Sequence, residues 1–357
     1  MLKVMGYKSY LAKEIIVYIT VLIAAMSLLY LLTYPVIQEV LKATVETEAE
    51  GFKQAILRHY AGHGSINLTN INILVNKYKD SLMTTYGLNQ PLYLRYFIQM
   101  KNLLTFNFGN AYFLEAPNGS HKVYVIIASY LPYTIILFTT GTLIVIFAGT
   151  LIGLLSARYE GTVWDKIVPT IAVIHSSLPT WWLGFLLIAA LAYGVKVFPP
   201  GGITSIPPPK SPLMYSINML YHMALPLLAF FIVNVGGFAY VVRSLVISTT
   251  KEDFVMTAKA RGLSDSRILY RHILRTASPS ISTQVALAIA GSFAGGLTTE
   301  IVFNWHGVGW LTYVAILLND LPVILGINFV LTVILLLALF INELVKGYLD
   351  PRIKAGE

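Results

Sequence analysis

The chain has 357 residues, no cysteine and a formal net charge of +8; 56% of it is hydrophobic and only 12% charged, with a mean hydropathy of +0.69. Soluble domains carry about 25% charged residues, so the composition excludes a string of soluble domains and points to an integral membrane protein. Cationic loops on one membrane face account for the positive charge without a nucleic-acid partner, and the absence of cysteine excludes disulfides, thiolate metal sites and cysteine nucleophiles.

The first apolar run, Ile15–Ile37, is free of charge and follows Lys3, Lys8, Lys13 and Glu14. It is long enough to cross a hydrocarbon core of about 30 Å. It ends YPVIQEV, without a small-residue cleavage site, and reads as an uncleaved signal anchor. Glu39–Lys122 is polar and holds no spanning run. A second span is expected near Leu131–Ala157, with Val123–Tyr130 left interfacial, and a third at about Ile167–Tyr193. The Pro/Gly-rich connector VFPPGGITSIPPPKSP follows, and can be neither helix nor sheet interior. A fourth span is expected at about Tyr221–Ser248, a fifth at Pro279–Thr299 and a sixth at Pro322–Ile341. The fold class is therefore all-α integral membrane, with six transmembrane helices and a large extracytoplasmic insertion between the first two. The corresponding division is an N-terminal arm with the first span (1–38), the insertion (39–122), a five-helix core (123–349) and a tail (350–357).

Six spans place both termini on one side. The N-terminal arm, the loop near Arg158, the Lys251–Arg275 segment and the C-terminal stretch from Lys346 onward hold 14 Lys/Arg, against two in the connector after the third span. Glu39–Lys122 holds eight, but loops beyond about 60 residues translocate largely regardless of charge. The termini are expected in the cytoplasm of a multi-pass plasma-membrane protein.

Between the fourth and fifth spans lies an unusually charged stretch, TAKARGLSDSRILYRHIL. Asp253–Ala260 can form a short helix with Asp253 at its positive end. Gly262 suits the left-handed position that closes a helix. Ser264 can cap a second helix carrying Asp265 in its first turn, with Leu263 and Ile268 placed to staple across the cap. A loop that merely obeys positive-inside statistics needs none of this order, whereas a docking element needs all of it. Small residues at Ala258, Ala260 and Gly262 would let a partner approach, and the cations around them would orient it.

Elsewhere the sequence offers little chemistry. It contains no G-x-x-x-x-G-K-[ST] for nucleotide phosphates, and no H-E-x-x-H or G-x-S-x-G. His175, His222 and His306 are isolated. Polar residues inside spans are costly in lipid and tend to face a cavity, which singles out His175, Ser176, Ser177, Asn234 and Gln284 as pathway candidates; interhelical hydrogen bonding is the plainer reading. Arg243, near the end of the fourth span, is expected to snorkel or pair locally. Glu300 closes the fifth span, just before the aromatic–Gly stretch FNWHGVGW. Asn67 and Asn118 begin N-x-[ST] sequons in the insertion, and are candidates for glycosylation in a host that modifies its surface proteins.

The run DFVMTAKARGLSDSRILYRHILRTASP resembles the cytoplasmic EAA-type loop of ABC importer permeases, in the form used by the dipeptide and oligopeptide branch. Segments Tyr86–Tyr112, LPYTIILFTTGTLIVIFAGTLIGLLSARYEGTVWDK, SLPTWWLGFLLI, VFPPGG, Glu300–Trp310 and LDPRIK match in order, so the resemblance covers roughly Tyr86–Lys354. Met256 replaces the glutamate that names the general motif, Pro279 comes one position early, and His306 stands for a usual proline. The resemblance implies a permease subunit paired with a second permease, two ATPase subunits that hold the ATP and Mg, and an external solute-binding protein. This chain itself would be neither an enzyme nor the holder of a cofactor. It further implies that Asp253, Thr257, Ala258, Ala260, Arg261, Gly262, Leu263, Ser264 and Arg267 contact an ATPase, and that Glu300, which matches the family's acidic position, has an external or gate-proximal structural role. Members of the family carry peptides, some oligosaccharides (notably in archaea) and some nickel. The rival reading is a stand-alone secondary transporter or channel, whose usual inverted repeats and intramembrane titratable pairs are not evident here.

Overall fold

A computed structural model describes residues 7–60 and 68–349. Its regular structure is helical, and among the described residues the only β pairing is an isolated bridge, Asn110 to Lys122. The tail 350–357 and the sequon residue Asn67 lie outside the described residues.

Among the described residues, four helices are long and apolar enough to cross a membrane: α1 (Tyr7–Tyr60), α4 (Val123–Arg158), α7 (Pro212–Thr250) and α13 (Leu321–Leu349). A bent helix pair is apolar enough to make one further span if its two halves are counted together. It consists of α5 (Val163–Ser176) and α6 (Thr180–Gly194), whose apolar parts meet at 88°. Pro179 causes the break, inside the expected third span Ile167–Tyr193. It has no N–H to give, and it pushes Leu178 out of helical geometry.

Three further boundaries differ from expectation. Helix α4 begins at Val123, so Val123–Tyr130 belongs to the same helix as the second span. α7 begins nine residues before Tyr221, at Pro212, whose fixed φ suits a first helical position. The expected fifth span, Pro279–Thr299, is not one continuous helix: α10 (Leu274–Ala294) stops at Gly295, where φ is +68°, and helix resumes at Leu297. Because α10 carries Ser280, Ser282, Thr283, Gln284 and Ser292, it is not among the helices apolar enough to span on their own.

The chain divides into two compact units. In the first (1–18, 130–313 and 331–357), α4 and α7 meet along a seam of small residues that lets backbones approach closely. A Cβ on Gly153 would overlap the Ala239 carbonyl oxygen and lie 2.9 Å from Val242 Cβ. At the end of this seam Arg243 Nε donates to Asp165 Oδ1, and Gly161 N–H donates to Asp165 Oδ2 at 3.0 Å. Asp165 is only 7% exposed. Arg243→Ala would strand that carboxylate at a cost of about 3 kcal/mol, which thermal unfolding in detergent should register as a loss of several degrees. An Arg243→Met/Asp165→Leu double variant should recover most of it.

In the second unit (19–129 and 314–330), the backbone passes from the first span into the insertion without a break. Helix α1 runs through Pro35 to Tyr60, and Tyr30, Tyr34, Ile37, Leu41, Val45 and Ala49 form one buried stripe along it. Among the described residues the insertion continues with α2 (Leu68–Thr85), α3 (Leu92–Leu104) and a loop after α3. That loop is held by the fully buried Asp320, which accepts from the backbone N–H groups of Tyr112 (3.1 Å), Phe113 (2.8 Å) and Leu114 (3.0 Å). Burial pushes the neighbouring Tyr112 phenol up to about 12, so it stays protonated.

Candidate functional site

The charged stretch between α7 and α10 folds as a knuckle. Helix α8 (Asp253–Ala260) and the single turn α9 (Asp265–Ile268) flank Gly262, which sits at φ +75°. Two backbone bonds close α8: Leu263 N–H to Ala258 O at 3.3 Å and Gly262 N–H to Lys259 O at 2.9 Å. This is the paired 6→1 and 5→2 pattern that a left-handed glycine permits. Ser264 occupies the N-cap position of α9 but makes no side-chain cap bond; its carbonyl accepts from Ile268 N–H at 3.0 Å. The turn is thus closed by backbone and apolar contacts, not by the expected hydroxyl cap.

One face of the knuckle is sunk into the chain. Val255, Ala258, Ile268, Leu269 and Ile273 join Leu154, Ala157, Val242 and Val246 in one buried cluster, with Leu263 packed against it. The seat is therefore the ends of α4 and α7. The other face is open: Asp253, Thr257, Ala260, Arg261, Gly262, Ser264 and Arg267 are exposed, as is Met256 at 70%. Of the nine residues assigned to a partner contact, Ala258 is buried inside the chain and Leu263 half-buried. These two fix the knuckle on its seat, while the other seven face outward.

A second feature is a cavity of about 500 Å³ in the same unit. Its lining combines Phe138, Phe230 and Phe238 with the polar Thr142, Ser176, Asn234 and Ser292. Asn234 and Ser176 were legible as polar residues in apolar runs; Thr142 and Ser292 were not, since such residues are common in helices. Asn234 Nδ2 donates to Phe230 O at 2.7 Å, which leaves its side-chain carbonyl free of that bond. Ser177 bonds locally to Val173 O, and neither it nor His175 nor Gln284 lines the cavity.

Beyond α10, α11 (Leu297–Val302) delivers Glu300 to a buried hub. Its carboxylate accepts from Thr134 Oγ1 at 2.7 Å and from Trp310 N–H at 2.9 Å, and Thr134 Oγ1 accepts from Val308 N–H at 2.6 Å. Gly307 is pressed so closely against this hub that a Cβ would overlap Thr134 Oγ1 and lie 2.5 Å from Glu300 Oε1. Trp305, also fully buried, donates Nε1–H to Tyr133 O at 3.0 Å. His306 leans on Trp310, with ring centroids 4.4 Å apart, and burial lowers its pKa. His222 sits within hydrogen-bond distance of the carbonyls of Gly201 and Gly202 in the Pro/Gly connector. Each of these histidines packs structure locally. Asn118 stands exposed in a turn, its Oδ1 accepting from Ser120 N–H.

Residues 149–355 match the family described as the binding-protein-dependent transport system inner membrane component. The chain belongs to that family. It is a membrane-embedded permease of the ABC transporter class, and ATP hydrolysis resides in separate subunits. Among its relatives, a dipeptide transport system permease protein, DppB of Bacillus subtilis, is 30% identical over 77% of this chain and 84% of its own length. The oligopeptide permease AppB of the same organism is 25% identical over 77% and 85%. YejB, an inner-membrane ABC transporter permease of Escherichia coli O157:H7, is 30% identical over 75% and 73%. A solved MetNI methionine ABC transporter in an inward-facing conformation shares the fold, with a TM-score of 0.51 at 14% identity, covering 65% of this permease and 99% of that chain. The stand-alone secondary transporter or channel is set aside by this membership.

Proposed function

We propose that this permease forms half of a pore shared with a second permease and passes peptides delivered by an external solute-binding protein, driven by two ATPase subunits that hold ATP and Mg. The observation that carries the reading is the knuckle at Asp253–Arg267. It is seated rigidly on α4 and α7 by Val255, Ala258 and Ile268, and it turns a charged, small-residue face outward. ATPase movement applied to that face would be passed directly to two spans and so to the cavity between Phe138 and Asn234, which we take as part of the pathway. Six spans, both termini in the cytoplasm and an extracytoplasmic 39–122 region complete the proposed topology, with α10 lining the pathway as the fifth span. Asn118 would then lie outside and be open to glycosylation; Asn67 would share that side.

Peptides are preferred because the relatives named for a substrate carry dipeptides or oligopeptides; oligosaccharides are the second choice. The test is uptake into proteoliposomes holding the complete transporter and its binding protein. ATP-dependent accumulation of di- to oligopeptides supports the proposal. Accumulation of sugars alone would move the substrate to oligosaccharides, and peptide flux through this chain without ATPase subunits would overturn the mechanism.

A further inference from the structure

Helix α3 is amphipathic the wrong way round for water. Its covered face carries Arg95, Tyr96, Gln99 and Asn102 beside Met100 and Leu103, while its outward face is Tyr93, Leu94, Phe97, Ile98 and Leu104, interrupted by Lys101 alone. Tyr93 is 67% exposed and Phe97 65%. A helix on an aqueous surface shows the opposite order. Here Arg95 turns inward: its Nε and Nη2 donate to the carbonyls of Gln90 and Leu88, and its guanidinium lies over the Tyr34 ring at 5.3 Å.

The depth of α3 follows from what it touches. Tyr96 OH hydrogen-bonds Ser27 Oγ at 2.7 Å, and its ring meets Tyr30 edge-on at 5.8 Å. Both partners lie in the charge-free run Ile15–Ile37. At 1.5 Å per residue, Tyr30 is about 10 Å and Ser27 about 15 Å inside its far end. On that same stretch Leu28, Leu31, Leu32 and Val36 are all more than half exposed, which is the signature of side chains covered by lipid. The chain beyond α3 stays at depth as well, since Phe106 packs edge-on against Phe329 of α13 at 5.4 Å.

We propose that α3 is embedded in one leaflet beside the first span, with Tyr93, Leu94, Phe97, Ile98 and Leu104 against lipid acyl chains and Lys101 reaching to the headgroups. Part of the region between the first two spans is then a membrane anchor and not a solvated domain. The inference needs only that α1 crosses the bilayer, so it stands or falls independently of the substrate and of the ATPase contact.

The absence of cysteine allows a direct test. Single-cysteine variants at Leu94, Phe97 and Ile98, with Lys53 as a solvated control, would be spin-labelled and reconstituted into liposomes with the partner subunits. At all three α3 positions, collisions with dissolved oxygen should exceed those with a water-soluble nickel complex, and the order should reverse at Lys53. Nickel collisions prevailing at Phe97 would mean a hydrated or binding-protein-facing surface. Both collision rates falling together would mean cover by the second permease or a second copy. Either result overturns the proposal, and three neighbouring positions ensure that one poorly folded variant does not decide it.

Discussion

Replacing Gly262 with valine should uncouple ATP hydrolysis from uptake while leaving the permease inserted and assembled. The backbone there is at φ +75°, and a Cβ would meet nothing within 4 Å, so the penalty is conformational and not steric crowding by neighbours. The left-handed region costs an ordinary residue roughly 1–2 kcal/mol, and a β-branched side chain fares worst there. That cost falls on the two backbone bonds that close α8, from Leu263 N–H and Gly262 N–H. The seat formed by Val255, Ala258 and Ile268 would persist, so the knuckle would remain attached but lose its fixed shape. Asparagine tolerates this conformation, so Gly262→Asn should retain more coupling than Gly262→Ala, and Gly262→Ala more than Gly262→Val. The check is the ratio of peptide taken up to ATP hydrolysed across the three variants. Equal ratios would remove the rigid turn from the account.

Gly307→Ala should destabilise the first unit strongly for a single added methyl. The new carbon would overlap Thr134 Oγ1 and crowd both oxygens of Glu300, and none of these groups is free to withdraw because each is engaged with α4, α11 or α12 (Val308–Leu317). Overpacking of this kind costs about 1–3 kcal/mol and can exceed that range. Glu300→Ala alone should also destabilise, since it leaves the buried Thr134 hydroxyl and Trp310 N–H without their acceptor. Because the two changes share one space, the double variant should be clearly less damaged than the sum of the singles. Thermal unfolding of the four proteins in detergent closes that cycle, and strict additivity would mean that the crowding at Gly307 is relieved elsewhere.

The sequence made the knuckle legible because its signals are local. The bounds of α8 follow from Asp253 at one end and Gly262 beyond the other, and the structure keeps both. It did not disclose which side of α8 is turned inward, because Ala258 and Ala260 look alike until α4 and α7 supply a seat for one of them. Nor could it disclose the Glu300 hub, whose hydroxyl donor, Thr134, lies 166 positions away. The continuation of α1 into the insertion carried a readable sign in the Glu39–Lys42 and Glu50–Lys53 pairs at i,i+3 spacing. Hydropathy alone, which ends the first span at Ile37, conceals it. The reversed face of α3 was hidden in the same way: its 13 residues are too few to register as a span, and the sense of its amphipathicity appears only once Tyr96 is seen against Ser27.

The central claim, that the outward face of the knuckle meets an ATPase, is tested most directly by crosslinking. Single cysteines at Ala260 and Asn118 would be introduced into the cysteine-free chain within the complete transporter, each bearing a short photoactivated crosslinker. The account predicts an adduct with the ATPase subunit from Ala260 and none from Asn118. An intact transporter that still performs ATP-driven uptake, yet yields no ATPase adduct from Ala260, would contradict it.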